Sequence, residues 1–346
     1  MRTLSLFLVL LLPVLIVTGV NGQNKRMGTA AATELLVPVG ARDFAMGGAN
    51  IASSEGVEAI FWNPAGMGQV RYGAEAMFSS MAYIADISVN YGAIAASFGN
   101  FGVLGFSVKA LDFGDIPLTT NDDPEGLAGR LFSPTYVTLG VTYARSLTDA
   151  ISAGASLKII AEQIDRVSAS GVALDVGVQY RNLGGIPGFH LGVSVKNIGP
   201  QLKYEGPGLL GSAVRSDGRR PEQSYESPGA SFELPSSFDI GLAYQPRLTD
   251  NLQATVTSSF TNRNLGLDEF RVGGELAYTM EPVRLFGRVG SGFTPQANIN
   301  EQKIFGTTAG VGVAYNAAGI DIILDYAYRS VQFFDANSVI SLRFGF

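Results

Sequence analysis

Beyond Arg71 the chain alternates apolar and polar residues with period two. In "IDIILDYAYR", Ile320, Ile322, Leu324, Tyr326 and Tyr328 fall on one face, and Asp321, Ile323, Asp325, Ala327 and Arg329 on the other. Successive side chains of a strand point to opposite faces, so this segment predicts a strand with one apolar face and one mainly polar or small face. "ALDVGVQYR" repeats the pattern, setting Leu174, Val176, Val178 and Tyr180 against Asp175, Gly177, Gln179 and Arg181. "FDIGLAYQ" sets Phe238, Ile240, Leu242 and Tyr244 against Asp239, Gly241, Ala243 and Gln245. In "FRVGGELAYT", Arg271, Glu275 and Thr279 oppose Phe270, Val272, Leu276 and Tyr278. The chain ends in "NSVISLRFGF", where Ile340, Leu342, Phe344 and Phe346 oppose Ser341, Arg343 and Gly345.

Fourteen such segments are predicted, at 73–82, 88–98, 101–112, 135–145, 150–162, 169–181, 189–197, 236–246, 251–261, 269–279, 283–292, 306–316, 319–329 and 337–346. Most are about 10 residues long, the length a tilted strand needs to cross a bilayer. The even number is that of bacterial outer-membrane barrels. Connections after even strands are all short, whereas the long ones, 113–134, 198–235, 293–305 and 330–336, all follow odd strands. Such barrels have short turns at one end and long loops at the other. A soluble β-sandwich also alternates, but it has no reason to sort its loops. The expected fold is therefore all-β, a transmembrane antiparallel β-barrel of about 14 strands whose apolar face meets outer-membrane lipid. Asp175, Asp239, Arg271, Glu275, Asp321, Asp325 and Arg343 are then expected to face the lumen, with Asp321 and Asp325 facing water or pairing with arginines such as Arg284, Arg288 and Arg343. Phe344 and Phe346 match the terminal-strand pattern of such barrels.

The N-terminus changes the picture in one respect. Residues 1–22 carry Arg2, an apolar run from Leu4 to Val17 and small or polar residues before Gln23, the layout of a secretory signal peptide. Pro13 interrupts the run, and no later segment has the ~18 consecutive apolar residues of a transmembrane helix. An exported chain with mean hydropathy +0.20 and no helical span fits a barrel wetted by lipid. Gly accounts for 43 of 346 residues, well above the usual ~7%. With 24 Lys+Arg against 30 Asp+Glu and no basic run, nucleic acid is not an expected partner.

Residues 23–71 differ from the alternating strands. "GGANIASSEGVEAIFWNPAGM", Gly47 to Met67, is compact, helix-prone and holds the single tryptophan, Trp62. Gly47-Gly48 permits close approach or unusual dihedrals. Ser53 or Ser54 is expected to cap a short helix with Glu55 and Glu58 near its positive end. Phe61 and Trp62 belong to its apolar side. Asn63-Pro64 interrupts it, and Asn63 is expected to cap a second turn, with Pro64 first and Gly66 closing it. A barrel of fourteen strands encloses more space than wall side chains fill, since those of about eight strands are the ones that close solid. The segment is therefore expected to plug the lumen as an N-terminal hatch, with 72–346 forming the barrel.

Catalytic chemistry is sparse. The one histidine, His190, alternates with Phe189 and Leu191 and is expected to face the lumen as a structural polar residue. No G-x-S-x-G elbow occurs, and the absence of cysteine leaves no multi-ligand His/Cys metal site. No enzyme activity and no cofactor are expected.

"ELLVPVGARDFAMGGANIASSEGVEAIFWNPAGM", Glu34 to Met67, resembles the N-terminal signature of PorV/PorQ-type outer-membrane proteins, relatives of the FadL fatty-acid transporters. The likeness rests on Gly40-Ala41-Arg42, Met46-Gly47-Gly48-Ala49, Ala59 and Trp62-Asn63-Pro64-Ala65-Gly66. The Asn63-Pro64-Ala65 piece is shared with FadL, whose hatch fills a fourteen-stranded barrel. "VSVKNIGPQLKYEG", Val193 to Gly206, also resembles a PorV-type strand-to-loop segment. The resemblance implies an outer-membrane protein of a Gram-negative bacterium, without enzymatic activity. It also implies association with type IX secretion, in which the long loops bind exported cargo or translocon partners. The FadL side of the likeness implies instead a channel for hydrophobic small molecules such as fatty acids. Ile160, Phe286, Ile323, Phe61 and Trp62 are then candidate lining residues. One continuous apolar cavity would favour transport; a filled lumen with apolar outer loops would favour protein binding.

Overall fold

The computed structural model describes residues 28–213, 223–295, 304–317 and 319–346; the expected leader at 1–22 and the first hatch residues, 23–27, lie outside them. Fourteen antiparallel strands close into one barrel. They are β1 (Ala74–Ala82), β2 (Ser88–Ser97), β3 (Val103–Asp112), β4 (Thr135–Ser146), β5 (Ile151–Ile164), β6 (Val167–Tyr180) and β7 (Phe189–Ile198), followed by β8 (Ser237–Tyr244), β9 (Leu252–Arg263), β10 (Glu269–Met280), β11 (Val283–Phe293), β12 (Phe305–Ala317), β13 (Ile320–Val331) and β14 (Asn337–Gly345). Every expected strand is present, with ends displaced by a few residues at most. β14 pairs with β1 from Glu75↔Gly345 to Ala82↔Ser338. Phe346 then exchanges two backbone hydrogen bonds with Ala74, at 3.2 and 3.0 Å, so the last residue completes the seam.

The two faces separate as the alternation requires. Leu174, Val176 and Val178 are exposed, whereas Asp175 and Gln179 between them are buried. Ile320, Ile322, Leu324, Tyr326 and Tyr328 are all exposed, and Asp325 and Ala327 are buried. Among the described residues no helix is long and apolar enough to cross a membrane. Closure satisfies every strand's backbone within the ring, which is what a lipid environment demands.

Two ladder irregularities change which residues reach the lumen. Between β6 and β7 the register passes from Leu174↔Ile198 to Val176↔Val195, so Lys196 and Asn197 both stand opposite Asp175. Between β12 and β13 it passes from Phe305↔Val331 to Thr308↔Arg329. An extra residue in one strand reverses the facing of everything beyond it. Asn197, which regular alternation would set outside, is buried with a φ of 58°. Phe305 is likewise turned inward, stacking on lumen-facing Arg329.

The long connections all leave the barrel at one end, and two of them, 113–134 and 198–235, carry short ladders of their own. Ile116–Pro117 pairs with Leu131–Phe132, Leu202–Lys203 with Ser231–Phe232, and Leu210–Ala213 with Gln223–Glu226. Strands of two to four residues are too short to carry a readable alternation, so sequence alone marks them only as loop.

Candidate functional site

The lumen is occupied by the N-terminal segment. It is built of short turns, Thr33–Leu36, Ala41–Ala45, Gly56–Glu58, Ala59–Trp62 and Pro64–Gln69; among them Ala41–Ala45, Gly56–Glu58 and Pro64–Gln69 pack against β1–β6 and β11–β14. The chain enters at the long-loop end, where Ala31 N donates to Glu233 O at 3.1 Å. It leaves at the short-turn end into β1. Ala41, Ala45, Met46, Ala49, Ile51, Val57, Ala59, Ala65 and Met67 are fully enclosed.

So little regular structure leaves many hatch backbone groups without internal partners, and buried backbone groups must be paired. The wall supplies the partners. Gln179 Nε2 donates to Ile51 O at 3.1 Å and Ser54 O at 2.9 Å. Lys109 Nζ donates to Glu34 O at 2.6 Å and also to Val37 O. Thr308 Oγ1 donates to Ala45 O at 2.8 Å, Ala41 N to Ser341 Oγ at 2.6 Å, and Val57 N to Glu75 Oε2 at 2.9 Å. Ion pairs add charge to this seam. Arg42 of the hatch holds Glu275 at 3.2 Å, Glu275 holds Arg288 at 2.6 Å, and Arg288 holds Asp325 at 2.6 Å. Arg343 holds Glu58 at 3.3 Å.

The abundance of glycine has a spatial reason here. A Cβ on Gly177 would lie 2.0 Å from Asn63 Oδ1, one on Gly154 2.4 Å from Pro64 O, and one on Gly290 2.2 Å from Gly47 N. Inward-facing wall glycines are where the hatch backbone lies against the barrel. On the hatch side, Gly47 and Gly48 have φ of 69° and 70°, values that favour glycine, and a Cβ on Gly48 would lie 2.8 Å from the Trp62 ring.

The Trp62–Gly66 motif is a small hydrogen-bonded knot. Trp62 Nε1 donates to Val39 O at 3.1 Å, and its ring meets Phe61 edge-on at 5.1 Å. Asn63 accepts from Ala65 N at 3.2 Å, capping the turn that begins at Pro64. It also donates to Ile51 O at 2.9 Å and to Val178 O of β6 at 3.3 Å, tying hatch to wall. Two sequence expectations need correction. Ser53 and Ser54 cap nothing: Ser54 Oγ donates to the buried carboxylate of Asp43 at 2.5 Å, a stronger acceptor need than a three-residue turn presents, and Ser53 donates to Asn50. Gly66 does not close the second turn, which continues to Gln69; it is small because a Cβ there would lie 2.0 Å from Ser54 O. Of the two expected alternatives for the carboxylates of β13, Asp325 takes the paired one, with Arg288 at 2.6 Å, and Asp321 the water-facing one. Asp321 accepts from Asn316, and Arg284 donates to Thr279 at 3.2 Å. Both stand at the short-turn rim, where water removes the need for pairing.

The remaining lumen positions lie as follows. Asp175 is enclosed, held by Lys158 at 2.5 Å and by Asn197 N at 2.8 Å. Asp239 accepts from Thr261 at 2.6 Å and Ser237 at 3.1 Å and faces Lys196 at 3.3 Å. Arg271 pairs with Glu269 at 2.8 Å. His190 is buried between Asn182 N and Gln245 Oε1, at 3.3 and 3.2 Å. Phe344 is half-buried and Phe346 exposed at the seam. Sequence reading missed Lys109, Lys158, Lys196 and Asn197. Parity with Ser107, Ser156 and Ser194 would have found the three lysines; only the bulge explains Asn197.

Among the described residues, two large spaces flank the hatch, one at each end of the barrel. At the short-turn end a cavity of about 560 Å³ is bordered by Arg42, Glu75, Glu275, Phe286, Arg288 and Ile323 among others. At the long-loop end one of about 590 Å³ is bordered by Phe44, Phe61, Trp62, Lys196, Phe305 and Arg329 among others. Ile160 joins neither; it packs in an apolar cluster with Leu35 and Leu202. The five candidate apolar residues therefore do not line one continuous cavity.

A hatch-filled fourteen-strand barrel with this motif can be set beside known proteins. The family model of the type IX secretion system protein PorV matches residues 20–212. The chain belongs to the PorV family. No curated protein sequence matches it. Among solved structures, the PorV-family barrel is similar to the Ralstonia pickettii toluene transporter TbuX, with TM-score 0.57 and 14% identity over 89% of this chain and 98% of that one. It is also similar to the Pseudomonas putida toluene transporter TodX, at TM-score 0.55 and 12% identity over 89% and 97%. A Pseudomonas aeruginosa FadL homologue matches at TM-score 0.54 and 12% identity over 89% and 98%. At these identities the likeness is one of fold. PorV and FadL-like barrels are not enzyme families, and among the described residues no cluster of potential metal ligands occurs.

Proposed function

We propose that this PorV-family protein sits in the outer membrane of a Gram-negative bacterium with its long loops outward, and that those loops bind exported cargo or translocon partners of type IX secretion. Residues 1–22 act as the cleaved export signal. The observation that carries this reading is the set of large apolar side chains exposed at the long-loop end: Leu127 (82% exposed), Leu131, Leu210, Tyr225 and Phe333 (74% exposed). They sit on loop ladders and a turn tip, and apolar surface presented in this way marks interaction sites. A through-channel for hydrophobic small molecules is the weaker reading, because the hatch separates the two cavities and wall hydrogen bonds hold it there.

The test is affinity purification of the tagged protein from mild-detergent membranes, beside a variant carrying Leu127→Asp, Leu131→Asp and Tyr225→Asp. The reading predicts that a large translocon component or exported cargo co-purifies with the parent and is depleted at least tenfold with the variant. Recovery of bound fatty acid with no protein partner would overturn it.

A further inference from the structure

The long-loop-end cavity has features that the loop-binding reading does not use. Four of its aromatic rings, Phe44, Phe61, Trp62 and Phe305, stand against cations. Lys196 Nζ lies 5.7 Å from the Phe61 ring and 5.9 Å from the Trp62 ring. The Arg329 guanidinium is set between Phe305 at 3.8 Å and Phe44 at 4.7 Å. Both ladder irregularities of the barrel border this one cavity, and one of them is what turns Phe305 inward. Bulges that re-aim side chains recur beside functional sites.

The charge balance is uneven. Lys158, Lys196, Arg263 and Arg271 are each in an ion pair, with Asp175, Asp239 and Glu269 as the acids, Glu269 serving both arginines. Arg329 has no carboxylate within ion-pair distance among the described residues; its bonds go to Asn337 Oδ1, at 3.2 Å. Arg263 Nε is buried with no hydrogen-bond partner. Five cations thus face three carboxylates, and a planar guanidinium suited to bidentate carboxylate recognition is held rigid by two rings.

We propose that this cavity binds a carboxylate of a polypeptide entering from the long-loop side, with an adjoining apolar or aromatic side chain received between the rings. The proposal rests on the reading that the long loops face outward and receive protein. A peptide fits better than a long acyl chain for two reasons. The lining interleaves cations and Ser237, Thr261 and Ser291 with its apolar side chains, which matches the mixed polarity of a peptide better than that of an acyl chain. The hatch forms the floor, so the occupant must be held by one end.

Trp62 is the only tryptophan and lines the cavity, so its fluorescence reports on this site directly. The full-length protein in detergent is titrated with the probe peptide acetyl-Gly-Ser-Val-Phe, as free acid and as C-terminal amide, and separately with palmitate. The expected result is a saturable change in Trp62 emission with the acid, at least tenfold tighter than with the amide. Arg329→Gln removes a cation that has no acid to orphan; it should weaken the acid at least tenfold and leave the amide unchanged, and Arg329→Lys should recover part of the loss. Equal response to acid and amide, no saturable response to the acid, or tighter binding of palmitate would overturn the proposal. Co-purification of secretion partners without acid selectivity would sink this proposal alone. Acid-selective binding without such partners would sink the loop reading instead.

Discussion

Glu275 illustrates how single residues hold the hatch. Its carboxylate is buried and takes both Arg42, from the hatch, and Arg288, from the wall. Neutralising one member of a buried ion network leaves the others uncompensated, at a cost on the order of 3–5 kcal/mol. Glu275→Gln is expected to lower the thermal unfolding midpoint of the purified barrel, whereas Asp321→Asn, at the half-exposed rim, is expected to leave it nearly unchanged. Glu34 gives a pH dependence. It is 2% exposed, and burial first, then the neighbouring Glu162 carboxylate, push its pKa up from 4.5 to about 8, opposed by Lys109. The folded protein therefore keeps a proton there that the unfolded chain releases near pH 4.5. Stability from this group is complete below about pH 4.5 and is lost progressively as pH rises to about 8. Urea titrations followed by Trp62 emission should show the hatch weakening over that interval, and Glu34→Gln should flatten the dependence. An unchanged profile in the variant would assign the effect elsewhere.

At the scale of elements, much was legible because the signal is simple. Alternation in "ALDVGVQYR" fixes both the existence of β6 and its inward set, since a one-residue slip would turn Asp175 into lipid. The bulges were not legible: nothing in "VSVKNIG" announces that Lys196 and Asn197 both point inward, because an extra residue leaves local composition unchanged. The Ser53 and Ser54 caps failed for a related reason. Local rules assume a solvated helix end, and the buried Asp43 carboxylate outcompetes it. Wall glycines offer a test of hatch docking. A side chain on Gly290 would strike Gly47 N at 2.2 Å, while Gly287, on the same strand, has nothing within 4 Å. Gly290→Val should displace the Met46–Gly47 backbone and raise ion conductance; Gly287→Val should not.

For the molecule as a whole, the outward faces set the environment. Val176 is exposed between two buried positions on β6. Val176→Arg would place a charge in hydrocarbon and is expected to cost about 2–4 kcal/mol in lipid vesicles, against close to nothing for Val176→Leu. Refolding free energies in urea measure the difference; equal values would remove lipid from the account. The plug itself was readable as a piece of chain unlike its neighbours, and its lumen position followed from barrel size. Its actual tethering, through Gln179, Lys109 and Thr308 to backbone carbonyls, was not readable, since such bonds depend on which hatch groups lack internal partners. The most direct measurement is single-channel conductance in planar bilayers of the parent beside a form lacking Gly47 to Gly66. The parent should be silent and the shortened form should open discrete, long-lived steps; a shortened form as silent as its parent would contradict the sealed lumen on which the account stands.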